Sequence, residues 1–432
     1  MRCDYSCHTA EHAHSRRRFL GGMAAGGLGM MGLAGQFAPF VQPAAAAALK
    51  GRQKHLLVVW LAGGSSQLET WDPKPKTITG GPFRAIETSV PGVRISELMP
   101  KTAMQMHRMA LVRGVNTHED DHGKGQTLMH TGKPQMLGNP QPHLGSLAAK
   151  FLTDESNPLP GYIHITPGGG SSGTSEAAFL GPKYNAMFVG NGQPPANTAR
   201  SGWVDEPGDT ARHAMRQHIN DRFATRRRTA DTEAYTSTYD QARQLMARRD
   251  VFDVTKEPAA IQAKYGSNDF GRHCLLARRL IEAGSTYVQV SHSNYDTHNE
   301  NFTFHLEQVG EFDQSFAALL DDLAERGLLD HTLVVVMSEF GRTPTINHLY
   351  GRDHWSKAWS VAMAGCGITA GNVVGKTNDK GTEVVDREVG AGHLFHTMLT
   401  AVGLDPKGDY DVDGRAIQIA DPAASPIKEL LA

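Results

Sequence analysis

Residues 319–341, LLDDLAERGLLDHTLVVVMSEFG, hold the pattern that decides the fold. An apolar stripe runs out in the charged turn Asp321 to Arg326, and Gly327 is the stop that a helix end favours. Thr332 to Met337 is then almost wholly apolar and rich in valine, as in a strand buried on both faces. The strand opens at once into Ser338-Glu339-Phe340-Gly341, a loop with a polar start. Helix, buried strand, polar loop is the repeating unit of a parallel sheet.

Outward from this stretch the same unit recurs. The spacing predicts one helix over Phe302 to Arg326, with Phe302, Leu306, Val309, Phe312, Phe316, Leu319, Leu320 and Leu323 on one stripe. Phe270 to Ala283 reads as a second amphipathic helix closed by Gly284, with Tyr287 to Val290 the strand after it. His55 to Leu61 is a strand that breaks at Ala62-Gly63-Gly64-Ser65-Ser66. Residues 96–113 read as helical, running into a strand at Leu111 to Val115, a loop from Asn116 to Lys124 and a helix over Gln126 to His130. Residues 154–206 are rich in Gly, Pro, Asn and Ser and read as loop around one strand, Tyr162 to Ile165. Residues 207–250 have helical composition, and 207–260 read as a helical insertion. Its basic runs, Arg226-Arg227-Arg228 and Arg248-Arg249, read as a solvated helix face, with a phosphate- or sulfate-binding rim as the alternative. Downstream, Ser360 to Ala364 is a strand and His393 to Val402 a helix. The fold class is α/β, a mostly parallel sheet with helices on both faces. Such sheets bind ligands beyond the carboxyl ends of their strands.

Four loops stand at those ends. They are Gly63 to Asp72, His118 to Gly123, His292 to His298, and Glu339 to Arg342 continued at Gly351 to Trp355. Imidazoles and carboxylates from separate loops can close around one divalent cation. Each loop also has a plainer reading. An Asp-x-His such as Asp296 to His298 can be a turn with a solvated His, and His118 to His122 can be an acidic loop capping a helix. Arg342 and Arg352 can hold an anion or form surface salt bridges.

The stretch 319–341 resembles the alkaline phosphatase/sulfatase superfamily, in which this strand ends in Ser-Asp-His-Gly with Asp and His as metal ligands. Trp60 to Gly64, Gln67 to Pro75, Ser338 to Pro344 and Gly351 to Trp355 resemble an exported bacterial family, Domain of Unknown Function 1501, over residues 55–420. The resemblance implies an alkaline-phosphatase-like sandwich, with Asp296, His298 and His354 as metal ligands and Glu339 as a further ligand or base. It places His122 at the nucleophile position, as nucleophile, acid–base group or extra ligand. The expected cofactor is a divalent cation, Zn, Mn or Ca. Three departures stand out. No Cys or Ser occupies position 122, which argues against formylglycine chemistry. The Asp-His pair has become Glu339-Phe340. The Asp expected after the first strand is absent at Gly63-Gly64, with Glu69 or Asp72 as nearby substitutes. The implied function is a metal-dependent hydrolase of a phosphate or sulfate ester, its substrate an anionic small molecule or polysaccharide ester. The alternative is a degenerate member that binds a ligand or envelope partner.

The first fifty residues read as an address. Ser15-Arg16-Arg17-Arg18-Phe19-Leu20 fits a twin-arginine export signal, and no charge follows until Lys50. The uncharged run is long enough to span a bilayer. It is, however, rich in Gly, carries Gln36 and Pro39, and ends in the small residues Ala44 to Ala48. Residues 1–48 are therefore expected to be a signal peptide read by the twin-arginine translocase, with 49–432 as one domain, periplasmic or in the cell envelope. Losing four arginines and two acidic residues with it would take the net charge from −2 to −4. Neither value points to nucleic acid as a partner.

Overall fold

The computed structural model describes residues 54–432 except 137, 139, 155–156, 158, 170–175, 191, 195–197, 226–229 and 413–414. The expected signal peptide, residues 1–48, and the run Arg226 to Arg228 lie outside the described residues.

Eight strands form one sheet: β1 (His55–Leu61), β2 (Met109–Val115), β3 (Tyr162–Ile165), β4 (Met187–Val189), β5 (Tyr287–His292), β6 (Thr332–Met337), β7 (Trp359–Gly365) and β8 (Val373–Val374). Their spatial order is β8-β2-β7-β6-β1-β5-β3-β4. Neighbours are parallel except around β7, which runs antiparallel to both β6 and β2. The longer helices are α1 (His122–Thr131), α2 (Leu144–Leu152), α3 (Glu206–Ala224), α4 (Ala230–Ala247), α5 (Asp269–Glu282), α6 (Asn301–Glu325) and α7 (Ala391–Ala401).

Side chains alternate between the two faces of a strand. Leu57, Val59 and Leu61 of β1 pack with Phe270, Cys274, Ala277 and Ile281 of α5 and with Val309, Phe312 and Phe316 of α6. Leu56, Val58 and Trp60 pack on the other face with α1, α2 and α7, through Met129, Leu147 and Phe395 among others. Both faces of β1 are thus covered, which is why its seven residues read as one unbroken apolar run. Cys274 and Cys366 are free and buried.

Local readings differ from the structure in three places. Residues 96–113 hold only the five-residue helix Pro100–Met104 and a single 3₁₀ turn, and β2 already begins at Met109. Pro100 opens that helix, and too few residues remain before β2 for a longer one. Leu306 lies on the predicted α6 stripe but is 57% exposed. Asn301 and His305 take the buried positions there, because that turn meets the polar strand ends rather than the core. The Gly/Pro-rich segment 154–206 contains a second strand, β4, three residues long. Among the described residues no helix is long and apolar enough to cross a membrane.

Candidate metal centre

The antiparallel strand β7 decides which loops meet. β1, β2, β5 and β6 deliver their carboxyl ends to one edge of the sheet. Because β7 runs the other way, the segment that precedes it, Gly351 to Ala358, arrives at the same edge. His122 after β2, Asp296 and His298 after β5, Glu339 after β6 and His354 before β7 therefore come together.

Three imidazoles converge on one carboxylate. His298 Nε2 lies 3.1 Å and His354 Nε2 3.2 Å from Asp296 Oδ1, and His122 Nε2 lies 3.3 Å from Asp296 Oδ2. The Nε2 atoms of His298 and His354 are 3.0 Å apart. These separations are close to the ~3.3 Å edge of a tetrahedron with metal–ligand bonds of about 2.0 Å. His122, Asp296 and His354 keep their ligand atoms within 4.8 Å of one another.

The other ring nitrogen of each His is tied down. His122 Nδ1 meets Glu339 Oε1 at 2.8 Å, His298 Nδ1 meets Asp353 Oδ1 at 2.7 Å, and His354 Nδ1 meets the Asp120 carbonyl at 2.7 Å. A carbonyl or an ionised carboxylate only accepts, so each Nδ1–H is the donor. In their neutral form all three rings then turn a bare Nε2 toward Asp296. This outer ring of carboxylates and carbonyls is the arrangement that orients histidines on a metal. The residue types and their directions fit a divalent cation.

Two glycines let the loops approach. Gly63 and Gly64 have φ of 113° and 87°. A Cβ on Gly63 would sit 2.4 Å from the Asp296 backbone N, and one on Gly64 would sit 2.6 Å from the Phe340 ring. Gly63 N–H also donates to Glu339 Oε1 at 2.9 Å.

The charges follow from these contacts. Burial pushes the Asp296 carboxyl up, but hydrogen bonding and charge from Arg342, with His354 and His122, bring it down to about 2. The hydrogen bond to Glu339 raises His122 above the usual imidazole range. Partial burial lowers His354.

Several expected roles change with the geometry. Glu339 is not placed as a direct ligand. It is fully buried behind His122, with Oε1 taken by His122 and Gly63 and Oε2 taken by the Ser338 hydroxyl. Arg352 is not on the surface to meet an anion. Nε–H and one Nη2–H clamp Glu69, and its remaining hydrogens reach the carbonyls of Thr343, Pro344 and Thr79. Five donors are thereby used. Arg342 is likewise buried, donating to Asp296 Oδ1 at 2.5 Å and to the carbonyls of Gly63, Gly64 and Arg352. It fixes the Asp296 carboxylate in place. Neither substitute for the missing Asp reaches the centre: Glu69 is held by Arg352 and Asn301, and Asp72 by Lys74 and Thr377. His118 stays outside with its side chain 75% exposed, and His292 turns into the core against Phe270 and Tyr295. The sequence reading missed Asp353 and the Asp120 carbonyl. Both adjoin residues it did single out.

Among curated proteins none matches the chain. Solved structures that resemble it include the PsFucS1 sulfatase from Pseudoalteromonas sp., 14% identical over 84% of this chain and 71% of that one, with a TM-score of 0.37. A TAB5 alkaline phosphatase mutant with Mg bound is 12% identical over 82% and 98%, TM-score 0.38. The C-terminal periplasmic domain of EcEptC from Escherichia coli, in complex with Zn, is 11% identical over 83% and 86%, TM-score 0.39. Likeness of this size says nothing of reaction or ligand. The family described as "Protein of unknown function (DUF1501)" matches residues 53–431, and the chain belongs to it.

Proposed function

We propose that this chain is an exported, metal-dependent hydrolase of a phosphate or sulfate ester carried by an anionic small molecule or polysaccharide. The observation that supports the reading is the convergence of three imidazole Nε2 atoms on Asp296, each ring oriented from behind. Asp296, His298 and His354 would hold the cation, Zn, Mn or Ca. A bound divalent cation polarises an ester oxygen and lowers the pKa of water. His122, with Glu339 behind it, is the group that carries a proton at Nε2, because Glu339 holds the proton on Nδ1. Arg342 keeps the Asp296 carboxylate ionised and aimed.

One observation favours the second reading, a member that binds without turnover. The Phe340 ring lies 4.9 Å from His122 and 4.4 Å from His354, where the resemblance expects a second metal-binding side chain. A screen of aryl phosphates and aryl sulfates with metal-loaded protein separates the two. Hydrolysis of one ester class, lost in His122→Ala while the metal is kept, is the expected result. No turnover by metal-loaded protein would leave the binding role. For export, Arg16→Lys with Arg17→Lys is expected to leave uncleaved precursor in the cytoplasm; normal maturation of that variant would count against the twin-arginine route.

A further inference from the structure

A cleft of about 820 Å³ lies beside the Asp296 centre and runs along α1. Asp121 and Gly123, on either side of His122, line one part of it, and His130 lines it two turns further on. Eight residues of helix span about 12 Å. Ala62 and Ser293, from the loops that carry Gly63 and Asp296, line it as well. An ester held at Asp296 has this cleft beside it for the group that carries the ester. The volume falls in the range of about 300–1,000 Å³ that takes a drug-sized ligand.

The walls exclude two kinds of carrier. No Leu, Ile, Val or Met side chain is among the described lining residues, so an acyl chain finds little to pack against. Charge is scarce too. Asp121 and Lys124 are opposite charges at exposed positions beside His122. Deeper in, burial lowers the imidazoles of His130, His143 and His164, the last to about 3, and pushes the Glu176 carboxyl up. A charged carrier would lose its water there without gaining a counter-charge.

Uncharged hydrogen-bonding groups remain. Gln126, Thr127, Thr166, Ser291 and Ser293 line the cleft with amides and hydroxyls, which both donate and accept. Glu176 is 5% exposed, and its Oε2 has no hydrogen-bond partner. His143 buries Nδ1 on the side of Glu176, yet its side chain is 23% exposed, so the rest of the ring faces the cleft. Phe188, half-buried on β4, packs on His164 at 5.0 Å and adds an apolar ring. Trp60 and His130 are too deeply buried to give a second broad face on which a planar base would stack. One apolar ring among scattered hydroxyls and amides suits a ligand with C–H faces and hydroxyls around its edge, which describes a sugar ring.

We propose that this cleft binds the uncharged glycosyl group of a sugar phosphate or sugar sulfate, the charge of the substrate being confined to the ester at the Asp296 centre. The proposal rests on the hydrolase reading for the ester, but binding of the sugar is read without turnover.

Saturation-transfer NMR on the wild-type protein takes glucose, galactose, mannose, N-acetylglucosamine, maltose and lactose as probes. Glucuronate, octanoate and adenosine serve as charged, acyl and nucleoside controls. A neutral sugar is expected to give the strongest signal. Gln126→Trp, which fills the cleft from an exposed helix position, is expected to abolish it. Should that variant fail to fold, Phe188→Ala is read in its place, with the same loss expected. No sugar signal, a stronger signal from any control, or a sugar signal that persists in the variant overturns the proposal. The two readings fail separately. A sugar signal kept in Asp296→Ala, with no ester hydrolysed by wild type, supports sugar binding while the hydrolase reading fails. Aryl ester hydrolysis without any sugar signal overturns the cleft assignment alone.

Discussion

At the residue scale, Glu339 acts through His122. Its carboxylate holds the Nδ1 proton and so leaves Nε2 free to face Asp296. Glu339→Gln keeps the shape but can place an amide NH₂ against Nδ1. Hydrolysis of the ester is then expected to fall about 10- to 100-fold with the metal retained, measured as kcat/KM on metal-loaded protein. An unchanged kcat/KM would mean that His122 needs no orienting partner. Arg352 makes the opposite kind of contribution, to the frame rather than the chemistry. Arg352→Met leaves the Glu69 carboxylate buried and unpaired, and is expected to cost about 3–5 kcal/mol in urea unfolding. The double variant Glu69→Leu with Arg352→Met is expected to lose less than the single one. An equal or larger loss would show that the arginine's bonds to the carbonyls of Thr343, Pro344 and Thr79 matter more than its charge pair.

At the scale of elements, α5 carries a titration that the core depends on. Burial, helped by the charges of Arg272 and His292, lowers His273 to about 4. The unfolded chain would titrate it near 6.5, so between about pH 6.5 and 4 the unfolded state binds the extra proton. The stability it contributes is complete above pH 6.5 and is lost as the pH falls toward 4. For His273 this is about 2 kcal/mol between pH 6.5 and 5. His273→Gln is expected to flatten the pH dependence of unfolding by that amount, compared at pH 7 and 5; an unchanged slope would place the acid sensitivity in other buried histidines. The elements also show what a sequence reveals. β6 was legible because six consecutive buried residues leave an apolar run with a polar stop. The loops bearing His122, Asp296, His298 and His354 were legible as strand-end loops because each adjoins an apolar run and is rich in imidazoles and carboxylates. The direction of β7 was not, since a strand buried on both faces reads as the same apolar run whichever way it points. The burial of Arg352 was hidden for a related reason: its partner Glu69 lies 283 residues away, and a charge reads as exposed until its partner is placed.

At the scale of the molecule, the centre is a clasp between distant parts of the chain. His122 and His354 are 232 positions apart in sequence, and only the finished sheet brings them together. Three lone pairs aimed at one carboxylate repel one another until a cation or a proton relieves them. Protonation of His122, which Glu339 and Asp296 favour, gives partial relief in the ion-free protein. A divalent cation gives more, and because it binds only the folded arrangement it stabilises the whole domain. At a thousandfold excess over its dissociation constant the gain is about 4 kcal/mol. Chelation is therefore expected to lower the melting temperature of the entire cooperative transition, not to loosen a loop while the core melts unchanged. Asp296→Ala is expected to melt lower than wild type before any chelator is added, and to lose less on chelation, since the ion it would have lost is already gone. Calorimetry on both proteins with and without chelator checks this. An Asp296→Ala protein that responds to chelator as fully as wild type would show that the stabilising ion sits elsewhere, and that three histidines and an aspartate have been assembled at this sheet edge for something other than a metal.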